Sequence, residues 1–144
     1  MPPNHLDPLD PTAWLIRARS NLARARAGRV APDVLYEDLC FDAQQAAEKA
    51  LKAVLVKHGV AFPRTHALAA LVGLIESAGI AVPTAVAEAA DLTDYAVSTR
   101  YPGASETVDE AEYLRSVEIA ERVMRWAEEQ MLGQPHTPSH ESTD

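Results

Sequence analysis

Cysteine is all but absent from this sequence: Cys40 stands alone among 144 residues, so no internal disulfide can form. That usage suits a reducing compartment, and the expectation is a cytoplasmic protein. Cys40 lies beside Phe41 inside a helical pattern, which marks a quiet buried thiol rather than a nucleophile. Glycine is scarce too. The six glycines are scattered and form neither a G-x-G-x-x-G turn nor a phosphate-cradling loop ending in Lys-Ser/Thr. There is no H-E-x-x-H and no cysteine pair, so the common zinc patterns are missing and neither a metal nor another cofactor is expected. No uncharged apolar run is long enough to span a bilayer. The opening Met-Pro-Pro-Asn-His-Leu-Asp-Pro has no basic cluster followed by a hydrophobic stretch, so no secretory signal is expected. Basic charge is in deficit. Thirteen Lys and Arg against 21 Asp and Glu leave −8, which argues against simple non-specific binding to a phosphate backbone.

What is present is helical. Apolar residues make up 47% of the chain, enough for the core of one domain. Residues 1–11 are Pro-rich and residues 133–144 polar and Pro-broken, so both read as flexible tails around a bundle over residues 12–132. Thr12 can cap a first helix through Leu15, Ala18, Leu22 and Ala25, ending near Gly28. Pro32 and Asp33 open a second, carrying Leu35, Leu39, Ala43, Ala46, Ala50 and Val54 to a stop at Gly59. Its alanines leave little bulk and permit close approach by a neighbour. A third helix follows Thr65 through Leu68, Leu71, Val72 and Ile75 to Gly79. A fourth starts at Pro83 and carries Val86, Ala89, Leu92 and Ala96. Thr107 and Glu110 form a capping-box pattern for the last, with Tyr113, Val117, Ala120, Met124, Ala127 and Met131 on one face. Glu118–Arg122 and Glu121–Arg125 are spaced to pair along it. No segment alternates long enough to be a strand. The pattern predicts an all-α, up-and-down antiparallel bundle of about five helices.

Four groups of residues carry candidate chemistry. Arg17, Arg19, Arg24, Arg26 and Arg29 crowd one stretch without an acid, either a solvated helix face or a local basic patch. Gln44, Gln45, Glu48, Lys49 and Lys52 interrupt a helix otherwise full of Ala and Leu. Glu48 and Lys52 can simply pair, or amides and ammonium groups together can line a groove that reads a base edge and a phosphate. His66 is either a neutral ring bonded to nearby backbone or a contact at the edge of that groove. In Arg100-Tyr101-Pro102-Gly103 the guanidinium can hold a phosphate and the ring can stack on a base. Alternatively Arg100 pairs with an acid such as Asp94 while Tyr101 fills the end of the bundle. His136 and His140 flank Pro138 in the C-terminal tail, and no functional metal site is expected there.

Phe-Asp-Ala-Gln-Gln-Ala-Ala-Glu-Lys-Ala-Leu-Lys (residues 41–52) resembles the second-helix signature of HEPN domains, the "higher eukaryotes and prokaryotes nucleotide-binding" family. His66-Ala-Leu and Thr99-Arg100-Tyr101-Pro102-Gly103 resemble later landmarks of that family in the same order, and the likeness spans roughly residues 13 to 131. The resemblance implies a HEPN-like helical bundle that forms a homodimer. It is similar to small bacterial stand-alone members encoded beside a minimal nucleotidyltransferase, some of them toxin–antitoxin pairs. Active members are metal-independent ribonucleases with an arginine followed a few residues later by a histidine. Here Arg100 matches the arginine, but Tyr101 to Glu106 contain no histidine and none appears before His136. An arginine stays protonated and stabilises charge only, and Tyr101 is a poor proton acceptor at neutral pH. The resemblance therefore implies a nucleotide- or RNA-associated binding partner, with Arg100, Tyr101, Gln45, Lys49, Lys52 and His66 as its ligand-binding residues. A divergent ribonuclease toxin using Arg100 with His66 or a partner-supplied group is the second reading, and a dimeric interaction module without ligand the third. The first requires Arg100 and Lys49 to open onto a common hollow.

Overall fold

The computed structural model describes residues 7–96 and 107–133. These form α1 (Pro11–Ala27), α2 (Tyr36–Lys57), α3 (Leu68–Ser77), a short α4 (Thr84–Ala87) continued by a 3₁₀ segment (Glu88–Ala96), and α5 (Glu110–Leu132). The fold is the all-α bundle of about five helices that the periodicity predicts, with no strand among the described residues. Among the described residues no helix is long and apolar enough to cross a membrane.

The helix boundaries differ from expectation where side chains decide them. Asp10, not Thr12, caps α1: its carboxylate accepts from the Thr12 amide at 2.9 Å, and Pro11 occupies the first turn. α2 starts at Tyr36, because Pro32 and Asp33 belong to a loop that Arg29 holds by donating to the carbonyls of Val34 and Pro32. α2 and α3 both end in a left-handed glycine. Val60 and Gly59 donate back to Leu55 and Val56, and Ile80 and Gly79 repeat the arrangement at Ile75 and Glu76. α3 begins at Leu68 because the Thr65 hydroxyl accepts the Ala67 amide while Thr93 accepts that of Leu68. The expected fourth helix is mostly 3₁₀. Its buried residues Val86, Ala89, Leu92 and Tyr95 recur every third position, the period at which 3₁₀ side chains align. Asp109 rather than Thr107 caps α5, accepting from the Glu112 amide at 2.8 Å.

α1 and α2 run antiparallel and make the most extensive helix contact, across Ala18, Ala25, Ala43, Ala46 and Ala50, none of which exposes any surface. Small side chains on both helices bring the backbones close. α5 packs along both, antiparallel to α1, with Arg19–Glu128 at 2.9 Å and Arg26–Glu121 at 2.7 Å across that contact. Glu118 pairs with Arg122 at 3.3 Å as its spacing predicts, but Glu121 turns to Arg26 instead of Arg125. Cys40 is buried, and burial pushes its thiol up to about 11, the inert behaviour expected of it.

Tyr113 links the end of α1 to α5. Its hydroxyl donates to the Ala25 carbonyl, and its ring stacks on Tyr36 at 5.2 Å. Tyr113→Phe should cost about 1 kcal/mol in urea unfolding, since one hydrogen bond is lost while Gly28 still donates to the same carbonyl.

Candidate functional site

The polar stripe of α2 is built around one carboxylate. Glu48 is buried with its side chain 5% exposed, and three side chains converge on it, with a fourth behind them. Gln45 donates to Gln44 at 2.7 Å, and Gln44 donates to Glu48 Oε1 at 2.9 Å. His66 Nδ1 lies 2.9 Å from the same oxygen, and Lys52 Nζ donates to Oε2 at 2.8 Å. Burial alone would raise the Glu48 carboxyl. Hydrogen bonds from Lys52, His66 and Gln44 outweigh that cost and hold it below its ordinary value. An ionised carboxylate only accepts hydrogen bonds, so His66 donates from Nδ1.

This arrangement corrects the first reading of His66. Its ring is bonded to a carboxylate 18 positions earlier rather than to nearby backbone, and its side chain stays 60% exposed at the edge of the network. Glu48 and Lys52 do pair, but inside a larger network. The Lys52 ammonium also lies over two aromatic rings, 5.6 Å from the Trp14 centroid and 5.5 Å from that of Phe62.

A second network lies beside the first, on the seam with α1. Lys49 Nζ donates to Asn21 Oδ1 at 2.7 Å, Asn21 donates to Asp42 Oδ1 at 3.0 Å, and Arg24 Nε stands 3.4 Å from Asp42 Oδ2. Lys49 is pushed below its ordinary value by burial first, then by Arg17 and with a smaller push from Arg24, against the opposing pull of Glu48 and Asp42. The ammonium is thus half-buried among charges of both signs.

Of the six predicted ligand-binding residues, Gln45, Lys52 and His66 thus share the Glu48 network, and Lys49 belongs to the adjoining one. Arg100 and Tyr101 lie outside the described residues, as do His136 and His140. So does the juxtaposition of Arg100 with Lys49 or with Asp94. The arginine stretch of α1 is not one patch: Arg19 and Arg26 face acids of α5, Arg29 holds the α1–α2 loop, and Arg24 meets Asp42. Asn21 and Asp42 were not singled out from the sequence. The signal was a polar residue at the spacing of the buried positions Ala18, Leu22 and Ala25.

Hollows open beside these elements, one of about 240 Å³ lined by Arg24 and Asp42 among others, and two larger. One, of about 540 Å³, lies where the start of α1 meets the α2–α3 connection and is lined by Trp14, Lys52, Val60, Phe62, Pro63 and Arg64 among others. The other, of about 820 Å³, opens beside α5, where its charges are already matched as Arg26–Glu121 and Arg122–Glu88. Among the described residues no group of His, Cys, Asp and Glu converges as a metal site.

Comparison with known proteins agrees with this architecture. A crystal structure of TT1696 from Thermus thermophilus superposes with a TM-score of 0.71 at 32% identity, covering 83% of this chain and 97% of that one. A crystal structure of ST0689, an archaeal HEPN homologue, gives 0.67 at 25% identity, covering 84% and 97%. No curated protein matches the chain. The HEPN domain profile matches residues 12–130, from the first turn of α1 to the last of α5. With both polar networks lying inside that span, the chain belongs to the HEPN domain family.

Proposed function

We propose that this HEPN-domain protein is a nucleotide- or RNA-associated binding partner, working as a homodimer beside a minimal nucleotidyltransferase in a toxin–antitoxin-like pair. The observation that carries the binding reading is Lys49. It is a half-buried ammonium bonded to Asn21, one helical turn from a row of ordered amides. Phosphate would be held at Lys49 with the family arginine position Arg100, Tyr101 would stack or shape the pocket, and Gln45 would contribute amide contacts. The nucleotidyltransferase pairing rests on the resemblance of residues 41–52, His66 and Thr99–Gly103 to stand-alone members of the family.

The test is a titration of nucleotides and short RNA against the wild type and an Arg100→Ala, Lys49→Ala double variant. The wild type should bind and the double variant should lose at least tenfold in affinity, the scale of a charge-assisted hydrogen bond or more. Equal and negligible binding by both would favour the dimeric interaction module.

One observation favours the ribonuclease as a second reading. Glu48 fixes the His66 ring through Nδ1, the way a carboxylate orients an imidazole for proton transfer from the other nitrogen. Incubation with mixed RNA without added metal should leave the RNA intact. Cleavage abolished by Arg100→Ala or His66→Ala would establish the enzyme instead.

A further inference from the structure

We infer that the cleft between the start of α1 and the α2–α3 connection is a nucleotide subsite that takes the base against Trp14 and Phe62 and the phosphate on Arg64. The inference rests on the binding reading above and adds a second nucleotide position to the one at Lys49 and Arg100. Trp14 and Phe62 meet edge to face, with centroids 6.0 Å apart and planes at 75°. Two aromatic walls at nearly a right angle form a corner that a planar ring can enter, lying along one face and meeting the edge of the other. The corner is held in place: the Trp14 indole N–H donates to the Pro8 carbonyl at 2.9 Å, and Lys52 sits over both rings while bonded to Glu48. A site already rigid loses less entropy on binding.

The charge at the rim selects an anion. Lys52 is neutralised by Glu48, whereas Arg64 is exposed and makes no ion pair or hydrogen bond among the described residues. A planar guanidinium offers two parallel donors to a phosphate. The hollow of about 540 Å³ is of the size that small ligands occupy. An aromatic corner with an unpaired arginine at its lip is complementary to a base carrying phosphate, whether a free nucleotide or one unit of single-stranded RNA.

Trp14 is the reporter. Trp126 is the second of two tryptophans, so a Trp126→Phe background leaves Trp14 as the source of tryptophan emission. AMP, adenosine and a short oligoadenylate are titrated against that protein. AMP should change Trp14 emission and bind more tightly than adenosine. Arg64→Ala should weaken AMP about tenfold while leaving adenosine unchanged. Phe62→Leu, which keeps an apolar side chain and removes the ring, should weaken both. Oligoadenylate binding tighter than AMP at this site identifies RNA as the source, and equal affinity identifies the free nucleotide. Nucleotide binding that Lys49→Ala abolishes but Arg64→Ala and Phe62→Leu leave intact overturns the cleft and keeps the binding function. Absence of binding by all three probes overturns both. A change in Trp14 emission that follows protein concentration without nucleotide assigns the cleft to a second copy of the chain and overturns the subsite.

Discussion

Glu48→Ala should be the most destabilising single change on the polar side of α2, costing about 3–5 kcal/mol as breaking one partner of a buried ion pair does. The side chains of Glu48 and Lys52 are 5% and 10% exposed, so truncating the carboxylate strands an ammonium against Trp14 and Phe62. Gln44, fully buried, loses its acceptor in the same step. Replacing both charges removes the stranded ammonium but still orphans the Gln44 amide: a Glu48→Met, Lys52→Met double variant should recover part of the loss and stay about 1–3 kcal/mol below the wild type in urea unfolding. The pH dependence has a definite sign. The folded-state pKa of Glu48 lies below its ordinary value of 4.5, so its contribution is fully present above that value and is lost as pH falls through the folded one. The wild type should therefore lose stability below about pH 4.5, and Glu48→Gln should flatten that acid limb while being less stable at neutral pH. An unchanged acid limb in Glu48→Gln would place the acid sensitivity elsewhere.

The fold was legible because most helices here bury one stripe and end at a glycine. The buried faces of α1, α2 and α5 follow the spacing of Leu15–Ala25, Leu39–Val54 and Tyr113–Ala127. Capping was legible to within a turn. Thr12 and Thr107 are acceptable caps, yet in each case a nearby aspartate takes the position, because its carboxylate reaches a free amide within three residues. The 3₁₀ segment was legible in principle from buried residues at steps of three, a pattern that a reading with Ala96 in place of Tyr95 conceals. Contacts made across the chain were not legible. His66 and Glu48 are joined by the path of the α2–α3 connection, and Trp14 of α1 meets Phe62 of that same connection across the whole of α2. Composition identified Gln45, Lys49, Lys52 and His66 as unusual. Only packing divided them between a network centred on Glu48 and another centred on Asn21 and Asp42.

That division makes Lys49→Met the variant in which folding and binding part company. Methionine keeps the long stem that covers the α1–α2 seam, and the side chain gives up its hydrogen bond to Asn21, which remains bonded to Asp42. Against that loss, the substitution removes a charge disfavoured by burial and by Arg17 and Arg24. Because the folded pKa of Lys49 is lowered, the unfolded chain holds more protons between that value and the ordinary 10.5, and this residue makes stability rise with pH across that window. Lys49→Met should remove the alkaline rise and change the neutral-pH midpoint by no more than about 1 kcal/mol. Anion binding is different in kind. A phosphate placed on this seam would be bonded to the ammonium, so losing that group should weaken nucleotide or RNA binding about tenfold or more and make the remaining affinity less sensitive to salt. Denaturation and titration of one preparation measure both effects. Full nucleotide affinity in a normally folded Lys49→Met protein would move the phosphate away from the α1–α2 seam.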